Sequence, residues 1–312
     1  MNDASILILT KNTGNDFQNT LEAIYAQKYA GEFEVVIVDS GSIDNTLEIA
    51  QNYPTKVHQI SPDDFGHGKT RNFAASLASG NYLVFLTQDA VPANDRWLAT
   101  LLRNFNDDNV AGVYGRQIPR KDTKPMENFF LNIRYPVSRM VKSAGQGKVD
   151  MNAIFFSNAN SAIRKDIWEK YPFDDNLIMS EDQEWSRRVI LAGYKIAYDP
   201  EAAVYHSHNY SPKTVFQRYF DSGVSFNQFA GREYGLSHFV SEGLVYAKCE
   251  MKFLLANGYM KWLPYAVLYD LAKFFGVFLG KKEKHLPLGL KKRLSLHSYY
   301  WKTDCDTRQW KR

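Results

Sequence analysis

The alternation of short apolar runs with helical patterns in the first half of the chain constrains its fold most. Ile, Leu and Val dominate residues 5–10 and 33–39, and both runs end at a polar turn. Runs of this length and composition are typical of buried parallel strands. Between them, Phe17, Leu21 and Ile24 recur at helical spacing. The order strand, helix, strand therefore predicts an open α/β sheet flanked by helices.

The same criteria predict further elements along the chain. Strands are expected at residues 57–60, 82–86, 111–114, 153–156 and 195–198. Helices are expected at residues 70–79 and 96–105, and from Glu181 onward. After about residue 211 the pattern becomes helical, with many aromatic and basic residues. We therefore expect a catalytic α/β domain over residues 1–210 and a helical region over residues 211–312.

Composition excludes several classes of protein. The chain has 312 residues, 45% of them hydrophobic, which is enough for a sizeable core. Its formal net charge of +4 is too small for a dedicated nucleic-acid-binding protein, so no nucleic-acid partner is expected. The two cysteines cannot form a disulfide framework, and no uninterrupted run of about 18 apolar residues occurs, so a membrane-spanning helix is not expected. A cytoplasmic globular protein is predicted.

Polar residues follow three of the predicted strands, at residues 10–12, 39–42 and 87–90. In open parallel sheets, ligands bind beyond the carboxyl ends of the strands. The three polar segments therefore predict a small-ligand site at one edge of the sheet.

Six motifs occur in a defined order along the chain. They are TKN at 10–12, VDSGSIDNT at 38–46, HGKTRN at 67–72, FLTQDA at 85–90, EDQE at 181–184 with Arg188, and YHSH at 205–208. Over roughly residues 4–230, this ordered set resembles the family 2 glycosyltransferases, inverting sugar-nucleotide enzymes with a GT-A fold. The strings at 65–68, 87–90 and 115–119 are most similar to those of bacterial rhamnosyltransferases. The resemblance implies a Rossmann-like, mostly parallel sheet flanked by helices, followed by a C-terminal helical region.

The resemblance also implies a nucleotide-sugar site. At the end of its strand, Asp39 would accept a hydrogen bond from a pyrimidine N–H or a ribose hydroxyl. Its alternative role as a helix cap suits Asp44 better. For Thr10 and Asn12, an ordinary role in a turn stays open. For His67, Gly68 and Arg71, the alternative is a capped helix with a solvated arginine. The other expected donor-site residues are Ser40, Gln88, Asp89 and Arg188.

Residues 87–89 occupy the place of the family's D-x-D metal motif. A hard cation such as Mg²⁺ or Mn²⁺ takes oxygen ligands and bridges to the nucleotide diphosphate. Asp89 and His206 are the expected ligands, and His208 is a further candidate. Because Thr87 replaces the first Asp of the motif, positive side chains in place of a metal are an alternative. Arg71 and Arg188 are the candidates for that role.

The resemblance assigns the general base to Asp182, which would take the proton of the acceptor hydroxyl as the anomeric carbon is attacked. The alternative is that acidic residues in a first helical turn complement the helix dipole. Asn158, Asn160, Glu181 and Trp185 are expected to contact the acceptor or the transferred sugar. Helix capping for the asparagines and core packing for the tryptophan are the alternatives.

The expected activity is transfer of L-rhamnose from dTDP-L-rhamnose to a lipid-linked saccharide in bacterial surface-polysaccharide synthesis. A UDP-sugar or GDP-sugar donor is an alternative. A nucleotidyltransferase is a second one, but the glycine-rich signature it needs after the first strand is missing. A third is a non-catalytic sugar-binding or membrane-binding relative, which Thr87 favours and Glu181 with Asp182 disfavours.

The C-terminal part of the chain is distinctly basic. Residues 239–312 contain 14 Lys/Arg and 6 Asp/Glu, a net charge of +8, which leaves −4 for the rest. An apolar, aromatic stretch at 262–280 is broken only by Asp270 and Lys273, and basic residues follow it. This pattern favours a helix that lies on the inner face of the cytoplasmic membrane. The alternative is a helical subdomain whose Lys and Arg residues form a solvated face.

Overall fold

The computed structural model describes residues 3–144, 151–229 and 236–301. Within these ranges, nine strands form one sheet. The strands are β1 (Ala4–Thr10), β2 (Phe33–Asp39), β3 (Thr55–Gln59), β4 (Tyr82–Thr87), β5 (Val91–Pro92), β6 (Val110–Ile118), β7 (Met140–Lys142), β8 (Asn160–Arg164) and β9 (Lys195–Tyr205). The helices are α1 (Asp16–Tyr25), α2 (Thr46–Gln51), α3 (His67–Leu77), α4 (Trp97–Leu102), α5 (Pro125–Arg134), α6 (Met151–Ile154), α7 (Lys165–Lys170), α8 (Glu181–Leu191), α9 (Pro212–Phe229), α10 (Leu236–Ala256), α11 (Leu263–Lys281) and α12 (Leu288–Leu294).

The order of the strands places the predicted polar segments side by side. The sheet runs β3-β2-β1-β4-β8-β6-β9-β5, and β7 pairs with β9. The first four strands are parallel neighbours, as the sequence predicts, and β8 is antiparallel to both β4 and β6. Thr10 pairs with Asp39 across β1 and β2, and Leu9 pairs with Thr87 across β1 and β4. The polar ends of β1, β2 and β4 therefore lie at one edge of the sheet.

The main core lies between this sheet and its helices. On α1, Phe17, Leu21 and Ile24 are fully buried, as their helical spacing predicts. They pack with apolar residues of β1 and β2 in one continuous cluster. Burial of each such side chain contributes about 1.5–3 kcal/mol, so the helix docks firmly on the sheet.

One predicted strand is wrong. The apolar run at 153–156 predicts a strand, but Met151–Ile154 forms the short helix α6. Phe156, just beyond it, is buried against the ring of Trp185, with the ring centroids 5.3 Å apart. The strand in this region is β8, whose sequence NSAIR has too few apolar residues to stand out.

The chain divides into two compact units. The first comprises the described residues of 1–121, 131–176 and 181–207, and it contains the sheet. The second comprises the described residues of 122–130, 177–180 and 208–312, and it contains α9 to α12. Within the second unit, α9 and α11 pack closely. A Cβ atom on Gly223 would lie 2.6 Å from the carbonyl oxygen of Val277, and one on Gly280 would lie 2.1 Å from that of Phe220. Only glycine allows this approach of the two backbones.

Candidate active site

The ends of β1 and β2 are joined by a network around the Asp39 carboxylate. The hydroxyls of Thr10 and Ser42 donate to its Oδ2, at 2.9 and 2.5 Å. The backbone N–H groups of Gly41 and Ser42 donate to its Oδ1, at 3.0 and 2.9 Å. The Ser40 hydroxyl donates to the carbonyl oxygen of Thr10, 3.1 Å away. Because a carboxylate accepts about four hydrogen bonds, this one is saturated by Thr10 and by its own loop.

The saturation of the Asp39 carboxylate affects the nucleotide-binding role that was expected for the residues at the ends of β1 and β2. Asp39 is 0% exposed, and Thr10 and Ser40 are also buried. A base or ribose contact at Asp39 therefore requires one of its four donors to leave. Asn12, by contrast, is exposed and has a left-handed backbone, with φ +49°. Its Oδ1 accepts from the N–H of Ile43 at 2.9 Å, so Asn12 stabilises the loop after β2.

Gln88 connects the end of β4 to the loop after β1. Its Oε1 accepts hydrogen bonds from the backbone N–H of Lys11 and the hydroxyl of Thr13, both at 2.7 Å. Its Nε2 donates to the carbonyl oxygen of Lys11 at 3.3 Å. Gln88 thereby fixes the position of the following residue, Asp89, relative to β1.

Asp89 and His206 lie together, as the motifs predict. His206 Nε2 is 3.4 Å from Asp89 Oδ1. Two ligands at right angles on a cation such as Mg²⁺, each about 2.1 Å from it, lie about 3 Å apart. The pair therefore fits a divalent cation. Thr87, in the first position of the D-x-D motif, adds no carboxylate, and His208 is the first residue of the second unit.

A residue that the sequence analysis missed, Arg120, also lies at this pair. Its Nη2 is 3.8 Å from Asp89 Oδ2 and donates a hydrogen bond to the carbonyl oxygen of Asp89. The Arg120 N–H donates to the Ser207 hydroxyl at 3.1 Å. The only signal in the sequence was its place just after the string at 115–119. Arg120 brings a fixed positive charge to the cation site.

Asp182, in the first turn of α8, is held by two backbone donors. The N–H of Asn158 donates to its Oδ2 at 3.1 Å, and the N–H of Gln183 donates to its Oδ1 at 2.8 Å. Burial raises the pKa of Asp182 to about 7, the negative charge of Glu181 also raises it, and Arg71 lowers it. A carboxylate with this pKa accepts a proton readily near neutral pH.

Arg71 and Glu181 form a buried ion pair beside this carboxylate. Arg71 Nη1 is 2.5 Å from Glu181 Oε1, and only 11% and 4% of their side chains are exposed. This ion pair joins Arg71, which was expected to contact the nucleotide-sugar donor, to Glu181, which was expected to contact the acceptor or the transferred sugar. Arg71 also donates to the carbonyl oxygen of His67 at 3.4 Å. A Cβ atom on Gly68 would lie 2.3 Å from the carbonyl oxygen of Asp174, so packing alone requires glycine there.

Two residues expected to contact sugars are instead part of the core. Asn160 is 0% exposed, and its side chain accepts from Trp97 Nε1 and donates to the carbonyl oxygen of Ala202, both at 2.8 Å. Trp185 is also 0% exposed and packs on Phe156. Neither presents a free surface to a sugar, so both expectations are wrong.

Arg188 and Asn158 have different environments from each other. Arg188 donates to Glu184 Oε1 at 2.7 Å and to the carbonyl oxygen of Pro172 at 2.6 Å, which fixes α8 to the preceding loop. Asn158 accepts from the Ser161 hydroxyl at 2.9 Å, and its buried Nδ2 has no hydrogen-bond partner among the residues that the structure describes. Asn158 is therefore available for a ligand beside Asp182, whereas Arg188 is already engaged.

Comparison with known proteins agrees with this geometry. The profile described as "Glycosyl transferase family 2" matches residues 5–171. The chain is 39% identical over 302 residues to the O-antigen chain rhamnosyltransferase WbaN of Salmonella anatum, which covers 95% of both chains. It is 37% identical over 303 residues to the O-antigen chain rhamnosyltransferase RfbN of Salmonella typhimurium, again over 95% of both.

Solved structures show the same fold at low identity. The mannosyltransferase PcManGT from Pyrobaculum calidifontis, solved with GDP-Man and Mn²⁺, has a TM-score of 0.60 and 17% identity, over 91% of this chain and 86% of that one. Staphylococcus aureus TarS with UDP has a TM-score of 0.54 and 17% identity, over 90% and 91%. The fold, the order of the motifs and the family match agree, and the chain therefore belongs to glycosyl transferase family 2 and is a glycosyltransferase.

Proposed function

We propose that this glycosyltransferase transfers L-rhamnose from dTDP-L-rhamnose to a lipid-linked saccharide during O-antigen synthesis. The observation that supports this most is the identity of 37–39% to two O-antigen rhamnosyltransferases over 95% of the chain. A UDP-sugar or GDP-sugar donor is the second candidate, because structural neighbours were solved with UDP and with GDP-Man.

In the proposed reaction, Asp182 is the general base. It takes the proton of the acceptor hydroxyl while the hydroxyl oxygen attacks the anomeric carbon from the face opposite the diphosphate, which inverts the configuration. The backbone donors of Asn158 and Gln183 hold the carboxylate in place. Its raised pKa makes it a stronger base than an ordinary aspartate.

Asp89 and His206 would hold a divalent cation, which neutralises negative charge on the departing nucleotide diphosphate. Arg120, at the same site, places a guanidinium beside the Asp89 carboxylate. The guanidinium adds positive charge where negative charge develops on the leaving group. Arg71 and Arg188 do not take this role, since Glu181 and Glu184 engage them.

Calorimetric titration with dTDP, UDP and GDP, each with Mg²⁺ or with EDTA, tests the donor and the cation together. We expect dTDP to bind more tightly than UDP, which lacks the thymine methyl group and carries an additional ribose 2′-hydroxyl. One methyl group in an apolar pocket contributes about 1–3 kcal/mol. We expect EDTA and the Asp89→Asn substitution to weaken dTDP binding. Asp16→Asn, at an exposed position on α1, is the matched control. Preference for UDP or GDP would contradict the rhamnosyl donor, and equal binding in EDTA would contradict the cation.

The side chains of α11 favour contact with a lipid surface, because its charged pair is buried and its exposed face is apolar. Asp270 and Lys273 pair at 3.1 Å and are mostly buried. The outward face is apolar, with about half of each side chain exposed, at Val267, Leu268, Leu271 and Phe275. Residues 260–281 are long and apolar enough to cross a membrane, with a mean hydropathy of 1.3, although such a helix is weak evidence of a span.

A basic segment follows this apolar face along the chain. Residues 281–293 contain six Lys or Arg and one acidic residue, Glu283. Apolar side chains that enter the headgroup region, together with cations that attract anionic lipids, are the requirements for interfacial binding. We therefore propose that α11 and residues 281–293 rest on an anionic membrane, near the lipid carrier of the acceptor.

Flotation with vesicles of phosphatidylglycerol tests this contact on the full chain. Each Lys near an anionic surface contributes about 1 kcal/mol, so Lys284→Glu with Lys292→Glu should weaken vesicle binding by about tenfold or more. Both lysines are exposed. Leu271→Glu should weaken binding at high salt as well, whereas Val137→Glu, at an exposed position of the first unit, is the control. Wild-type binding by the lysine and leucine variants would exclude this surface.

A further inference from the structure

The Gln117 side chain lies beside His206 because of the pairing between β6 and β9. Gln117 is opposite Val204, and Ile118 is opposite Tyr205. The N–H of His206 then donates to the carbonyl oxygen of Ile118 at 3.0 Å, which continues the ladder by one residue. Gln117 Oε1 is 2.8 Å from His206 Nδ1, and both residues are buried.

The other end of the Gln117 amide meets two hydroxyls. Its Nε2 donates to the Tyr135 hydroxyl at 2.5 Å and to the Ser157 hydroxyl at 3.1 Å. Both N–H bonds of the amide are thereby used. The carbonyl oxygen, which only accepts, is left facing the imidazole.

This orientation determines which nitrogen of His206 carries the proton. A carbonyl oxygen 2.8 Å from Nδ1 requires a proton on Nδ1. In the neutral ring, Nε2 then has a lone pair, and Nε2 is the atom 3.4 Å from Asp89 Oδ1. Neutral imidazole binds metals through such a lone pair, and the partner of the other nitrogen fixes the ring.

We infer that Gln117 is a positioning residue that holds His206 in the Nδ1–H form, so that Nε2 can bind the divalent cation. This inference rests on the cation site of the proposed function. It assigns a role to the string at residues 115–119, to which the sequence analysis gave none. Tyr135 and Ser157 act through Gln117 and form the outer layer of the site.

The reversed amide is the competing arrangement. Its Nε2 would donate to His206 Nδ1, and the ring would then carry its proton on Nε2. That proton would be donated to Asp89, and the two cation ligands would be joined to each other. The two arrangements differ in the protonated nitrogen and in the affinity for a cation, and both properties are measurable without catalysis.

Calorimetry with Mn²⁺ on the full chain tests the positioning role. Gln117→Leu removes the acceptor and should lower the Mn²⁺ affinity by about 10–100-fold, the usual effect of losing an outer-layer partner of a ligand. Gln117→Glu keeps an acceptor facing Nδ1 and should bind Mn²⁺ at least as tightly as the wild type. A folding defect common to both substitutions would lower both affinities. Equal affinity of the leucine variant and the wild type would overturn the inference.

Nitrogen-15 NMR of the metal-free protein reads the tautomer directly. We expect the His206 signals to show a protonated Nδ1 and an unprotonated Nε2, with the assignment taken from the signals lost in His206→Gln. A protonated Nε2 in the wild type would overturn the inference even if Mn²⁺ binds. A protonated Nδ1 without any Mn²⁺ binding would instead contradict the cation site of the proposed function, and with it the positioning role.

Discussion

Asp182→Asn is expected to slow sugar transfer by about 10²–10⁴-fold, the usual contribution of a general base, while the affinity for the donor nucleotide stays within a few-fold. The amide cannot take the proton of the acceptor hydroxyl. It is nearly the same size as the carboxylate, so α8 and the hydrogen bond from Asn158 can persist. Single-turnover transfer and dTDP titration on the same preparation separate the two effects.

The matched control is Asp16→Asn, which removes an exposed carboxylate from the first turn of α1. It should leave both measurements unchanged. Transfer by Asp182→Asn within a few-fold of the wild type would exclude this residue as the base. Loss of donor binding in the same variant would point instead to a structural role for the carboxylate.

The same substitution has a pH-dependent effect on stability. The pKa of Asp182 is about 7 in the folded protein and about 3.8 when the chain is unfolded. Between these values the folded state holds a proton that the unfolded state has released, so the free energy of unfolding falls as pH rises. Asp182→Asn removes the titrating carboxyl group and, with it, this fall in the free energy of unfolding. Its stability relative to the wild type should rise by roughly 3 kcal/mol between pH 4 and pH 7, measured by urea denaturation.

Breaking the buried ion pair is expected to give the largest loss of stability. Arg71→Met leaves the Glu181 carboxylate buried without its partner and should cost about 3–5 kcal/mol. Adding Glu181→Leu removes that buried charge as well, and the double variant should regain most of the loss. Urea denaturation of the single and double variants measures both changes.

Lys69→Met is the matched control, because Lys69 is also on α3 but forms an exposed ion pair. Lys69 and Asp64 lie 3.2 Å apart, and more than half of each side chain is exposed. Such a surface pair contributes about 0–1 kcal/mol, so this variant should unfold close to the wild type. Similar losses for Lys69→Met and Arg71→Met would show that burial does not distinguish the two pairs.

The fold could be predicted wherever strands are apolar along their whole length. The predicted range 33–39 coincides with β2, and the end of β1 at Thr10 is also correct. Strand β8 could not be predicted, because it lies between two other strands and its sequence includes Asn, Ser and Arg. Its burial comes from the sheet on both sides, which no local pattern records.

The candidate site could be predicted as a set of segments but not as a set of contacts. The motifs correctly indicated that Asp89 lies beside His206, since both follow strands of one sheet. They did not indicate that Trp185 and Asn160 are buried, because sequence spacing does not tell which face of an element meets the core. Arg120 and Gln117 were missed because their partners are distant in sequence.

The close packing of α9 against α11 limits how this part of the chain can vary during evolution. Any side chain at Gly223 or Gly280 would push the backbones apart, so neither position can change without compensation on the opposite helix. The packing of α9 against α11 places no such restriction on the outward-facing residues of α11. Related chains can therefore vary the outer face of α11 while the spacing of the two helices stays fixed.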